Sequence, residues 1–177
     1  MIDANKKIKK LLNQKVVDIV HRSSTTISQE TYLVGGAVRD HLINRNRKNS
    51  DLDFVTLGCE MTLANEIKNK INKNLKISRF KNFGTAHLIF NEINIEIVKA
   101  RKESYHLSSR NPDVEPGTLD DDLKRRDFTI NAIAVSLNDK NFGELIDPFN
   151  GLNDLENKII KTPTNPEITI SDDPLRI

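Results

Sequence analysis

Residues 85–100, "TAHLIFNEINIEIVKA", constrain the fold more tightly than any other stretch of this chain. An apolar run leads to Asn91 and Glu92, and then Ile93, Ile95 and Ile97 alternate strictly with other residues. A period of two sends those isoleucines to one face of a pleated strand and Asn94, Glu96 and Val98 to the other. The segment is therefore expected to be a β-hairpin turning at Asn91-Glu92. Ile8, Leu11, Leu12, Val16, Ile19 and Val20 recur at spacings of three and four, which predicts an amphipathic helix over residues 5–22. "TYLVGG" reads as a buried strand entering a glycine turn, and "AVRDHLI" as a brief helix ending near Asn44. "DLDFVTLG" predicts a strand, and residues 60–73 a helix with Leu63, Ile67 and Ile71 on one side. Residues 103–122 are polar and hold Pro112, Pro116 and Gly117, so a mobile loop is expected there. "RRDFTINAIAVSL" reads as a helix start followed by apolar sequence, and "GELIDPFNGLNDLENKIIKT" as strand, turn, short helix and strand. This mixture predicts an α+β fold with a mixed or antiparallel sheet flanked by helices, rather than a regular βαβ array.

The 177 residues suit one domain, or one domain and the beginning of a second; 37% are hydrophobic and 29% charged, enough apolar sequence for a core. A net charge of +2 is too small to advertise a nucleic-acid partner. Lys6, Lys7, Lys9 and Lys10 do cluster, as do Arg45, Arg47 and Lys48, but such runs are more often solvated faces than RNA contacts. Cys59 stands alone, which excludes an internal disulfide and a four-cysteine metal site and fits a reducing compartment. The N-terminal sequence has no apolar signal core, and no run approaches a membrane span, so a cytoplasmic protein without a membrane partner is expected. Oligomeric state is not legible.

The chemistry concentrates in "YLVGGAVRDHLINRNRKNSDLDFV", residues 32–55. Asp51 and Asp53 flank Leu52, so on a strand both carboxylates point to one face. Like charges that close repel, and divalent magnesium, a hard cation bound by few protein oxygens and by substrate phosphates, relieves the repulsion. A bare D-x-D is more often a strand end with two solvated acids. Gly35 and Gly36 sit between a strand and a helix start, where backbone N–H groups can approach phosphates; alone, such a pair is more often a tight turn. Arg39 lies one helical turn on, placed for a phosphate oxygen or for a surface ion pair. Glu96 completes a three-carboxylate cluster if its strand pairs beside the aspartate strand; otherwise it is a plain alternating polar position. Together these residues describe a two-metal phosphoryl-transfer site.

Six motifs in order, "LVGGAVRD", "SDLDFV", "IEIVKAR", "LKRRDFTINAIA", "LIDPFNG" and "DDPLRI", resemble the head domain of the class II tRNA nucleotidyltransferase and bacterial poly(A) polymerase family over about residues 31–177. The resemblance implies a polymerase-beta-like nucleotidyltransferase head. In it Gly35, Gly36 and Arg39 bind the triphosphate, and Asp51 and Asp53, with Glu96, hold two magnesium ions. It further implies that Arg125, Arg126 and Asp127 hold the nucleotide's phosphate and sugar, with Asn131 one turn along and Arg101 near the site. By residue pattern alone, "RRD" reads as a helix start with Asp127 capping and the arginines solvated. Asn44 stands where the family usually has glycine, and accepts the same backbone shape.

The implied reaction moves CMP or AMP from CTP or ATP to an RNA 3′-hydroxyl with release of pyrophosphate, most commonly as CCA addition to the tRNA 3′ end. Poly(A) tailing and CC-only or A-only addition share the head. A catalytically silent RNA-binding module on this scaffold is the reading from another class. The expected division is an N-terminal helix and lead-in over 1–30, the head over 31–160, and the start of a helical neck over 161–177. In this family "DDPLRI" opens the region that reads the base, so the chain is expected to be a fragment, weakly active or inactive alone.

Overall fold

A computed structural model describes residues 4–45, 51–80, 84–104, 113–172 and 176. Two helices open the chain, α1 (Ala4–Leu12) and α2 (Lys15–Thr26), followed by β1 (Thr31–Val34), α3 (Gly36–Leu42), β2 (Leu52–Thr56) and α4 (Glu60–Ile71). Then come β3 (Ile77–Phe80), β4 (Thr85–Phe90), β5 (Ile93–Lys99), β6 (Arg101–Ser104), β7 (Asp113–Pro116) and α5 (Leu119–Lys124). A 3-10 turn at Thr129–Asn131 leads to β8 (Ala134–Ser136), β9 (Leu145–Ile146), α6 (Gly151–Asn157) and α7 (Pro166–Asp172). Among the described residues, seven strands form one mixed sheet in the order β3-β4-β5-β2-β1-β8-β9, and β6 and β7 form a separate ribbon. The β2–β5 pair is parallel and the other pairs are antiparallel. The expected α+β class and mixed sheet are therefore what the chain adopts. No helix among the described residues is long and apolar enough to cross a membrane.

The hairpin is the one the alternation requires. Asn91 and Glu92 both have positive φ, 49° and 65°, as the tight turn whose twist matches its strands demands. Ile95 and Ile97 are fully buried and pack with Leu33, Leu52, Phe54, Ala86 and Leu88 against residues of the four N-terminal helices. Cross-strand partners share a face, so Asp53, Glu96 and His87, which are successive partners across β2, β5 and β4, all project from the opposite side. A smaller cluster of Tyr32, Val34, Val55, Ala100, Leu123, Ala132 and Ala134 covers part of that side. The rest of it is left for the site.

Four expectations need correction. Residues 5–22 are two helices, because extended backbone at Gln14 (φ −69°, ψ 134°) restarts the helix and lets Ile8 and Leu11, and then Val16, Val17 and Val20, all reach one core. Residues 103–122 are not simply a loop: Arg101–Ser104 pairs with Asp113–Pro116, and α5 follows; residues 105–112 lie outside the described set. The α5 start has its own signal, a capping box in which Thr118 and Asp121 bond each other's backbone N–H, with three acids in the first turn. "RRD" is accordingly at a helix end, with Arg125 as the C-cap of α5. The segment Ile159-Ile160-Lys161 joins no strand; Lys161 O accepts from the Thr129 N–H at 2.8 Å, and both isoleucines are exposed. Strand β3, mostly exposed and not alternating, had no signal in the sequence. Asn44 does take the left-handed conformation (φ 56°).

The "DPFNG" turn positions α6. Asp147 accepts from the N–H groups of Gly151 and Leu152, and Asp154 accepts from the Thr129 hydroxyl at 2.6 Å. A Cβ on Gly151 would lie 2.2 Å from Thr129 O, so the helix touches the 3-10 turn backbone to backbone. Gly151→Ala should therefore destabilise the fold by about 1–3 kcal/mol, the usual cost of overpacking, read as a lower urea midpoint at unchanged m-value.

Candidate active site

Asp53 lies at the centre of the open side of the sheet. Its Cα partners are Val34 on β1 and Glu96 on β5, which places one carboxylate beside another on adjacent strands. Asp51 projects from the same side one pleat earlier, exposed, with Oδ1 accepting from Asn94 Nδ2 at 2.6 Å. The Asp53 carboxyl is pushed up to about 6, first by desolvation, then by the negative charge of Glu96; Arg126 opposes this, and Asp51 adds to it. Glu96 and Asp51 thus raise the Asp53 pKa beyond what Arg126 offsets. Hard oxygen donors under mutual repulsion suit a hard divalent cation, and such an ion takes few protein ligands besides substrate phosphate and water. Among the described residues no three side chains are already gathered into a metal cage by themselves.

The glycine turn faces this cluster. Gly35 has φ 75° and ψ −145°, a region closed to residues with a Cβ, and a Cβ there would lie 3.0 Å from Asp53 Oδ2 and 3.3 Å from Arg126 Nη1. Gly36 begins α3, whose first N–H groups lack intrahelical acceptors. Behind it, Arg39 is held from two sides: Nε and Nη2 bond Asp40 Oδ1 at 2.9 and 2.8 Å, and Nη1 donates to Asn131 Oδ1 at 2.7 Å. Asn131 Nδ2 in turn donates to Asp127 Oδ1 at 3.0 Å, and the same Oδ1 accepts from the Phe128 N–H at 2.7 Å. The anticipated ion pair of Arg39 with a nearby acid is present, and it belongs to a network that aligns the RRD turn with the glycine turn.

A cavity of about 350 Å³ opens beside these groups, lined by Asp53, Phe80, Thr85, Glu96, Val98, Arg101, Arg125 and Arg126. Of the residues anticipated from sequence, Asp53, Glu96, Arg101, Arg125 and Arg126 line it. Gly35 lies against Asp53 and Arg126, whereas Gly36, Arg39, Asp127 and Asn131 form the adjoining network and Asp51 is not among the lining residues. Asp122 was missed by the sequence reading. It is fully buried and accepts from both Arg125 and Arg126, the latter at 3.0 Å, so it fixes the two arginines under the cavity. The i, i+4 spacing of Asp122 and Arg126 was the available signal. Glu103 joins this group through Arg101 at 2.7 Å and Arg125 at 3.3 Å. The Nε–H of Arg126 is buried and, among the described residues, has no acceptor.

Residues 31–161 match the family model described as the poly(A) polymerase head domain. The chain belongs to that family. An A-adding tRNA nucleotidyltransferase of Aquifex aeolicus is 43% identical over 146 residues, which cover 82% of this chain and 17% of that protein. A solved tRNA nucleotidyltransferase in complex with a primer tRNA and an incoming ATP analogue superposes with a TM-score of 0.72 at 37% identity, covering 89% of this chain and 42% of that one. A CCA-adding enzyme in an apo form superposes with a TM-score of 0.82 at 33% identity, covering 98% and 41%. The chain therefore spans well under half the length of each of these relatives. In this head domain the glycine turn, the aspartate strand and the RRD turn meet where Gly35 lies against Asp53 and Arg126.

The raised Asp53 pKa fixes a pH dependence. Between the ordinary value near 3.8 and about 6 the folded state binds the extra proton, so this group's contribution makes stability fall as pH rises through that window. Above it the cost is complete. In metal-free buffer Asp53→Asn should raise stability at pH 8 by on the order of 2 kcal/mol, and the gain should vanish below about pH 4. Urea midpoints of both proteins across pH check this.

Proposed function

We propose that the chain is the catalytic head of a template-independent nucleotidyltransferase that extends a tRNA 3′ end. The RNA 3′-hydroxyl oxygen attacks the α-phosphorus of CTP or ATP, and the bond to the pyrophosphate oxygen breaks. The observation that carries this reading is the convergence of Asp53, Glu96, Arg126 and the Gly35 turn at one cleft. Electropositive phosphate contacts thereby lie against clustered carboxylates.

Asp51, Asp53 and Glu96 would hold two magnesium ions; such ions polarise the phosphate, lower the hydroxyl pKa and offset leaving-group charge. The pairing of Asp53 beside Glu96, with the Asp53 pKa raised by desolvation and by Glu96, supports that fit. Gly35 lets the turn backbone approach Asp53 Oδ2 and Arg126 Nη1, which a Cβ would meet at 3.0 and 3.3 Å. Arg126 supplies positive charge and an Nε–H that lacks an acceptor among the described residues, and a phosphate oxygen would provide one. Arg39, aligned by Asp40 and Asn131, stands beside Gly36 as a second anchor. Asp127 and Asn131 orient it, and contact with the nucleotide's sugar and phosphate is assigned to them as well. Fixed charges in fixed positions act by orientation and electrostatics and require no covalent intermediate.

CCA addition is the first reading for the product. The 43% identity to an A-adding relative favours addition of the terminal A alone as the second. Incubating the full-length protein with tRNA lacking CCA, or lacking only the last A, with each triphosphate in turn distinguishes them by the sequences of the product ends. Asp51→Ala and Asp53→Ala should each lower turnover by two or more orders of magnitude, roughly the loss expected on removing one electrostatic contact to the transition state. Folding should persist. Either variant turning over at the wild-type rate would refute the assignment.

A further inference from the structure

The 350 Å³ cavity has two chemically different sets of lining residues. Asp53, Glu96 and three arginines form one. The other is a row of cross-strand partners, Phe80 on β3, Thr85 on β4 and Val98 on β5, and Phe80 is 55% exposed. A phenylalanine that open, on a short strand at the edge of the sheet, buries little of its ring within this fold. It lines the same cavity as the carboxylates, so a ligand that fills the cavity meets a charged wall and a flat apolar ring together. Cavities of this size hold molecules about as large as one nucleotide.

The position along the sheet decides which nucleotide. The Gly35 turn, the anchor for the triphosphate and its pyrophosphate, follows β1 and so lies on the β1 side of Asp53, where Arg126 Nη1 meets it. Glu96 lies on the other side, and Phe80 two strands beyond it, about 10 Å from the Glu96 strand. In-line displacement puts the attacking oxygen opposite the leaving group. The RNA 3′ end must then enter from the Phe80 side.

We infer that Phe80 is a stacking platform for the terminal base of the RNA 3′ end. Stacking on an aromatic face tolerates any base, which suits an enzyme whose acceptor end changes after each addition. The inference rests on the transferase reading above and extends it to a residue that no motif contains.

The test uses the full-length protein with Phe80→Ala, Phe80→Leu and Phe80→Trp. The acceptor RNA and the triphosphate are varied separately in steady-state assays, and RNA affinity is measured directly by fluorescence anisotropy. Phe80→Ala and Phe80→Leu should each weaken acceptor binding and raise its KM roughly 5- to 150-fold, the range base–aromatic stacking spans, whereas Phe80→Trp should retain both. The KM for triphosphate should not move. A Phe80→Leu protein with wild-type acceptor affinity overturns the proposal, because bulk alone then suffices; so does a change confined to the triphosphate KM. Normal transfer by a Phe80→Ala protein with unchanged acceptor affinity sinks this inference and leaves the transferase reading intact. A wild-type protein that binds RNA through Phe80 but transfers nothing does the reverse.

Discussion

The parallel pairing of β2 with β5 is the contact on which the rest of the molecule depends. It sets Asp53 opposite Glu96 on one side of the sheet while setting Phe54 opposite Ile97 on the other. One register therefore determines both the core and the charge cluster. A slip of a single residue would turn the carboxylates into the helix-covered layer and the phenylalanine into water. The deep burial of Phe54, Leu52, Ile95 and Ile97 is what makes such a slip prohibitive. The repulsion between the acids is thus held in place by apolar packing one residue away along the same strands.

The positive half of the site is built differently. Arg126 comes from a turn, and its position is set by side chains: buried Asp122 beneath it and, through Asp122, Arg125 and Glu103 on the neighbouring ribbon. Arg39 is likewise fixed by Asp40 and by the Asn131–Asp127 pair. Removing one partner from such a group leaves a desolvated charge behind, which costs far more than the pair contributes. Each arginine has acid neighbours, yet the Nε–H of Arg126 has no acceptor among the described residues.

Strict local periodicity was legible. The hairpin, with its Asn91-Glu92 turn, and the strand that carries Asp53 and follows Asp51 come directly from alternation. The glycine turn and the short α3 follow from residue type. What alternation cannot tell is which strands become neighbours, and so Glu96 could be placed beside Asp53 only conditionally. The misreadings share a cause: tertiary contacts override local signals. Residues 5–22 keep one apolar stripe but break at Gln14 to follow the sheet, and Ile159 and Ile160 look like a strand yet join none, Ile159 N–H bonding Asp154 O at the end of α6. Asp122 escaped notice because a buried acid in a run of three looks like a solvated helix start. Phe80 escaped because it belongs to no recurring pattern at all.

The sheet also acts as a partition. Its apolar side is filled by four helices and answers only to packing, whereas its other side is half open and answers to ligands. Substitutions on the wet side, such as at Asp51, Glu96 or Phe80, can be tried by descent without jeopardising the fold, because few of them touch the layer that holds the chain together. A head built on this plan can diverge in what it accepts while its scaffold stays almost unchanged.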